Sequence, residues 1–134
     1  MKNDQSLDRL LATAAREMGD APSSERVLEV AVGWALSLVP GCEMAGVTVR
    51  RRRGRFESKA PSEPKVTAGD ELQYELDEGP CLTAWATSAP VRVDDVAAEQ
   101  RWPRWTRAVA PLQVRATLSV PLVSEGTTLG AIKV

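Results

Sequence analysis

The residues of this chain best suited to chemistry are three tryptophans, two adjacent aspartates, two cysteines and a few hydroxyls. Trp85, Trp102 and Trp105 each offer a rigid ring for stacking on a planar molecule and an indole N–H to orient it. The same rings would also serve simply to fill space between helices and a sheet. Asp94 and Asp95 follow a short extended stretch, where a carboxylate can accept hydrogen bonds from an amine, amide or guanidine. Aspartates in that setting also form Asx turns and helix caps, bonding nearby backbone N–H groups, and capping is favoured for at least one of the two. Neighbouring side chains need not converge on one point, so the pair makes a poor acid–base couple.

Cys81 stands where a helix would begin, and the positive end of a helix dipole favours a thiolate. Asp77 and Glu78 immediately before it oppose that effect, so Cys81 is expected to be a small buried apolar residue beside Trp85. Cys42 and Cys81 are the only cysteines; they cannot build a disulfide framework and are expected to stay free thiols. The chain has no histidine, which removes the commonest general base and the commonest ligand for zinc or haem. No metal or cofactor is suggested, and the chain is expected not to be an enzyme. Arg50 to Arg53 with Arg55 form the one dense basic run. Such a hairpin tip could touch phosphate, but a solvated turn is commoner and no aromatics interleave to stack bases.

The elements that must position these residues follow from periodicity. Leu7, Leu10, Leu11, Ala14, Ala15 and Met18 recur at helical spacing and predict a leading helix ending near Gly19. A second helix follows, capped by Ser23 or Ser24, with a stripe of Val27, Val30, Ala31, Trp34 and Leu38 and a stop at Pro40-Gly41. Met44 to Arg50 reads as a strand, and Gly54 turns the chain into another, Arg55 to Lys59. Residues 60–69, with Pro61 and Pro64, are expected to be a polar loop, and Asp70 to Leu76 a short helix. Pro80 opens a helix to about Thr87. Pro90 to Val93 is a short strand and Pro103 to about Ala110 a helix; Thr117 to Val123 and Thr127 to Val134 make a final hairpin. This is an α+β order with a mostly antiparallel sheet. On two of its strands Gly46, Thr48, Thr117 and Ser119 alternate with Val47, Val49, Leu118 and Val120. The small, hydroxylated face leaves volume and donors for a ligand, or else packs tightly on a helix. The bulky face is expected to meet the first two helices.

The fragments Asp77-Glu78-Gly79-Pro80-Cys81-Leu82, Val91-Arg92-Val93-Asp94-Asp95, Arg101-Trp102-Pro103-Arg104-Trp105, Leu118-Ser119-Val120-Pro121-Leu122 and Thr128-Leu129-Gly130-Ala131-Ile132 follow one another at a characteristic spacing. Together the series resembles the GAF domains of bacterial signalling proteins, most closely those of actinobacterial regulators in which GAF precedes an RNA-binding ANTAR domain. The resemblance covers nearly the whole chain. It implies a PAS-like fold with two leading helices on one face of the sheet. On the other face, small helices would cover a ligand pocket, placing Trp85, Trp102, Trp105, Asp94, Asp95, Thr48, Ser119 and Cys81 as candidate contacts. It also implies a homodimer through residues 1–20, with Leu7, Leu10, Leu11, Ala14 and Met18 at the interface. Some GAF proteins reduce free methionine sulfoxide with cysteines, which is the enzymatic alternative; a ligand-free dimerisation module is the third.

The remaining expectations come from the totals. At 134 residues and 43% hydrophobic content the chain suits a single soluble domain, residues 1–134. Its net charge of −1 predicts no bulk attraction to nucleic acid or anionic membrane. No apolar run reaches the roughly 20 residues of a membrane span, so a cytoplasmic location is expected. The last strand runs to Val134 with nothing after it, the pattern of a domain normally followed by more chain. RNA binding would belong to such a further domain and not to these residues.

Overall fold

The computed structural model describes residues 2–134, and side chains from residue 6 onward. Two helices lead, α1 (Lys2–Gly19) and α2 (Ser24–Leu38). Ser23 caps α2, its Oγ accepting the Arg26 N–H at 3.2 Å. The strands β1 (Gly46–Arg50) and β2 (Phe56–Lys59) form a hairpin around a single helical turn, Arg52–Gly54. Helices α3 (Pro64–Leu76) and α4 (Pro80–Thr87) follow, then β3 (Val91–Val93), α5 (Pro103–Val109) and the hairpin β4 (Thr117–Ser124) and β5 (Thr127–Lys133). The five strands are antiparallel in the order β2-β1-β5-β4-β3. The closing hairpin therefore lies at the centre, inserted between the first and third strands.

Strand pairing assigns the faces. Thr48 opposes Ala131, Gly46 opposes Lys133, Ser119 opposes Lys133 and Val91, and Val93 opposes Thr117. Cross-strand partners share a face, so the small and hydroxylated residues do lie together. That face carries a core of Cys81, Ala84, Val91, Val93, Val96, Trp102, Trp105, Val109 and Ala131. The opposite face carries Val47, Ile132 and Leu122, packed with Val32, Leu28, Ala35 and Leu36 of α2. Fully burying a side chain of valine size contributes roughly 1.5–3 kcal/mol, and Val47, Val93 and Val109 are all completely enclosed.

Gly130 fixes how close the central strands come. A Cβ there would collide with the Thr48 carbonyl oxygen and lie 3.1 Å from the Val49 Cα, so no side chain fits at that position.

Two expectations need correction. Residues 60–69 are not all loop, because α3 begins at Pro64: a proline at the first helical position fits there, having no N–H to lose. The apolar stripe of α2 was misphased. Val27, Val30, Ala31, Trp34 and Leu38 are only half-buried, and Val32 is the buried residue facing the sheet. Helix α2 is apolar on two sides because it lies between α1 and β1, and Trp34 turns towards α1, its Nε1 bonding Glu17 at 2.9 Å. Accordingly α1 packs on α2, and α2 is the leading helix that contacts the sheet.

Candidate functional site

On the small-residue face, α3 and α5 stand off from the ends of β1 and β5 and leave a cavity of about 590 Å³. Its walls include Val66, Gly69 and Gln73 of α3, Trp105 and Val109 of α5, and the segment from Gln113 to Thr117. Pro80 closes one side, and Cys42 and Met44 lie at the approach to β1. That volume falls in the range of small-molecule pockets.

Asp70 and Lys133 border this space and pair with each other, their side chains only 1% and 12% exposed. Asp70 projects from α3 one turn after Val66 and one before Gln73, so the three form the buried stripe of that helix. Lys133 points to the same side of the sheet as Gly46, whose missing side chain leaves room beside Val66. Asp70 Oδ2 accepts both the Lys133 ammonium and the Ser58 hydroxyl, the latter at 2.6 Å. Lys133 Nζ also donates to Thr48 Oγ1 at 3.3 Å, and Thr48 shares a 2.7 Å hydrogen bond with the Tyr74 hydroxyl. Burial pushes the Asp70 carboxyl above the ordinary range while Lys133 draws it back, and burial pushes the Tyr74 phenol upward too. A pair taken out of water in this way depends on every such bond, since an uncompensated buried charge is costly.

The predicted site residues divide among different places. Trp105 lines the cavity, its Nε1 donating to the Gly69 carbonyl at 3.3 Å. Trp102 is buried behind it, edge-to-face with centroids 6.2 Å apart, and bonds Thr83 Oγ1 at 3.1 Å. Trp85 stands apart: it bonds the Thr128 carbonyl at 3.1 Å, and Arg50 lies 4.2 Å above its ring. Trp85 and Trp102 border a second, smaller hollow of about 260 Å³ with Phe56, Asp77 and Glu78. The three indoles therefore do not form one lid.

Asp94 and Asp95 are exposed. Asp95 Oδ1 caps the turn Val96–Ala98 by accepting the Ala97 N–H at 3.0 Å, and Asp94 pairs with Arg92 at 2.5 Å. Neither borders either hollow. Thr48 and Ser119 are fully buried in the floor beneath the helices. Cys81 lies beside Ser119, Sγ to Oγ 3.3 Å, and complete burial pushes its thiol upward, overriding the helix start. Cys42, half-buried, donates to the Met44 carbonyl at 3.2 Å, and burial raises its thiol as well. Among the candidate interface residues Leu7, Leu10 and Leu11 are exposed and Met18 is half-buried, but Ala14 is covered within the chain.

Asp70, Lys133, Gln73 and Tyr74 escaped the sequence reading. The signal for Asp70 and Gln73 was their helical spacing with Val66, hidden because polar residues occupy the buried stripe. Lys133 showed itself only as one charge between the apolar Ile132 and Val134. Among the described residues no group of three or more His, Cys, Asp or Glu is placed to hold a metal, and no helix is long and apolar enough to cross a membrane.

A family model for the GAF domain matches residues 21–134, all but the leading helix. The chain therefore belongs to the GAF domain family, a regulatory sensor fold of signalling proteins. No curated protein matches it. Among solved structures it is similar to the GAF domain of a phosphoenolpyruvate-protein phosphotransferase from Coxiella burnetii, at 16% identity and TM-score 0.70, covering 93% of this chain and 74% of that one. It is equally similar to an N-acylhomoserine lactone-dependent LuxR-family transcription factor from Burkholderia cenocepacia, with the same identity, TM-score and coverages. A free methionine-R-sulfoxide reductase from Neisseria meningitidis, solved with its substrate, aligns at 19% identity and TM-score 0.62, covering 92% of this chain and 69% of that one. At such identities these likenesses speak for the fold alone.

Proposed function

We propose that this GAF domain is a cytoplasmic small-molecule sensor, the regulatory part of a bacterial signal-transduction or transcription regulator that acts as a dimer. The observation that carries this reading is the cavity of about 590 Å³ ending on the Asp70–Lys133 pair. A domain kept only for dimerisation has no need of an unfilled hollow with buried charges in its wall, because filling it with apolar side chains would be at least as stable. A ligand entering there would touch α3, α5 and the segment 113–117, and by ordering them would shift how α1 packs against a partner copy. The resemblance to GAF domains that precede ANTAR domains makes antitermination the preferred output, with RNA bound by a separate domain.

The reductase reading has less support. That chemistry requires a low-pKa thiolate and a second thiol within reach, whereas burial pushes both Cys42 and Cys81 upward. Native mass spectrometry of the protein from its own host tests the sensing reading. A copurifying small molecule, released on denaturation, is the expected result. A clean apo mass with no perturbation of cavity residues by any added metabolite would overturn it in favour of the structural role.

A further inference from the structure

The charges around the cavity say what kind of molecule it would hold. Glu43, Glu63 and Asp70 border it against Lys65, Arg115 and Lys133, so the lining as a whole favours neither an anion nor a cation. The deep end, in contrast, is sharply polar. Lys133 Nζ bonds Asp70 and Thr48, which leaves one of its three N–H donors without a protein partner among the described residues. Asp70 uses Oδ2 for both Ser58 and Lys133, and Oδ1 receives no protein donor there. No buried side-chain polar atom among the described residues lacks a partner, so the little accessible surface that Asp70 keeps, 1% of its side chain, falls on Oδ1, and the space Asp70 borders is this cavity. One free acceptor with negative charge thus sits beside one free donor with positive charge.

We infer that the ligand is a small zwitterion of the α-amino-acid type, its ammonium on Asp70 Oδ1 and its carboxylate on Lys133 Nζ. The inference rests on the sensing reading above. A lone carboxylate reaching Lys133 would bring like charge against Asp70, and a lone ammonium reaching Asp70 would meet Lys133. A zwitterion pairs both at once and leaves the cavity neutral. Its side chain would lie against Val114 and the edges of Val66 and the Trp105 ring, an apolar wall that favours an aliphatic, thioether or aromatic group. Because Asp70 belongs to α3 and Lys133 to β5, the bound head group would add a second bridge between helix and strand.

Titration of the isotope-labelled protein with leucine, methionine and phenylalanine, followed at the Trp105 indole and Lys133 amide resonances, tests this. At least one of the three should bind, and both N-acetyl-leucine and leucinamide should bind roughly tenfold or more weakly than leucine, each having lost one charged contact. The double variant Asp70→Asn/Lys133→Met, which leaves no lone charge, should lose the preference for leucine over its blocked forms. Should that variant fail to fold, the blocked-analogue series on the unaltered protein decides alone. Equal binding of leucine and either blocked form would overturn the zwitterion, as would silence with all three amino acids. In the latter case, perturbation of the same resonances by uncharged or anionic metabolites would leave the sensing reading standing, and silence with those too would end both.

Discussion

At Gly79 the backbone takes φ 148°, a region that favours glycine, and a Cβ there would collide with the Gln73 side chain. Gln73 is held in place because its Oε1 accepts the Cys81 N–H at 3.0 Å, joining α3 to the start of α4. Gly79→Ala should therefore destabilise the domain by about 1–3 kcal/mol, read as a lower urea midpoint with an unchanged slope. Glu99 offers a second check by pH. Arg101 bonds its carboxylate through both guanidinium and backbone N–H and holds its pKa down at about 2. A depressed folded-state value means the contribution is complete above the unfolded carboxylate's pKa of about 4.3 and is lost as pH falls towards about 2. Between neutral pH and about pH 3 the unaltered protein should lose more stability than Glu99→Gln does. Equal losses in the two would show that the Arg101 contact adds nothing. Residues of this kind were hard to read in sequence, since Glu99 and Gly79 gain meaning only from partners brought to them. Thr48 and Ser119 were easier, because a strict two-residue alternation marked their face.

A carboxylate ties α3 to α5, beside the Arg104 bond to the Leu76 carbonyl and the Trp105 bond to the Gly69 carbonyl. Glu78, just past the end of α3, accepts the Arg104 and Trp105 N–H groups at 2.9 and 3.2 Å and the Arg104 Nε at 2.7 Å, satisfying donors that a helix start leaves open. These bonds hold the Glu78 carboxyl below its usual range. Glu78→Gln should loosen α5 while sparing the sheet, giving a lower melting temperature and a red-shifted Trp105 emission. An unshifted emission would show that the Trp102–Trp105 core and the bonds to the Gly69 and Leu76 carbonyls seat α5 without Glu78. The strands and α4, α5 were legible because prolines and alternating valines punctuate them. Helix α3 was legible only from Asp70 to Leu76; its first turns were missed because its buried stripe is Val66, Asp70 and Gln73, and a stripe that is two-thirds polar carries no hydrophobic period. The part of the site that depends on that stripe was lost with it.

For the molecule as a whole, α1 forms an outer layer resting on α2, with Leu7, Leu10 and Leu11 exposed by 45%, 40% and 50%. If the domain acts as the dimer proposed above, replacing all three by serine should shift sedimentation from dimer to monomer while leaving the fold of residues 21–134 intact. A mass unchanged by the substitution would place the contact elsewhere. Gly130 bears on how any signal crosses the domain. With no room for a side chain between Gly130 and the Thr48 carbonyl, the middle of the sheet is tightly seated: β1 and β5 cannot slide past each other there without breaking their ladder. Motion evoked by a ligand must then travel around this stiff keel, through α3, α5 and the segment 113–117. Amide hydrogen exchange should accordingly be slowest along Val47–Val49 and Gly130–Ile132, and any ligand-dependent change should be confined to the rim.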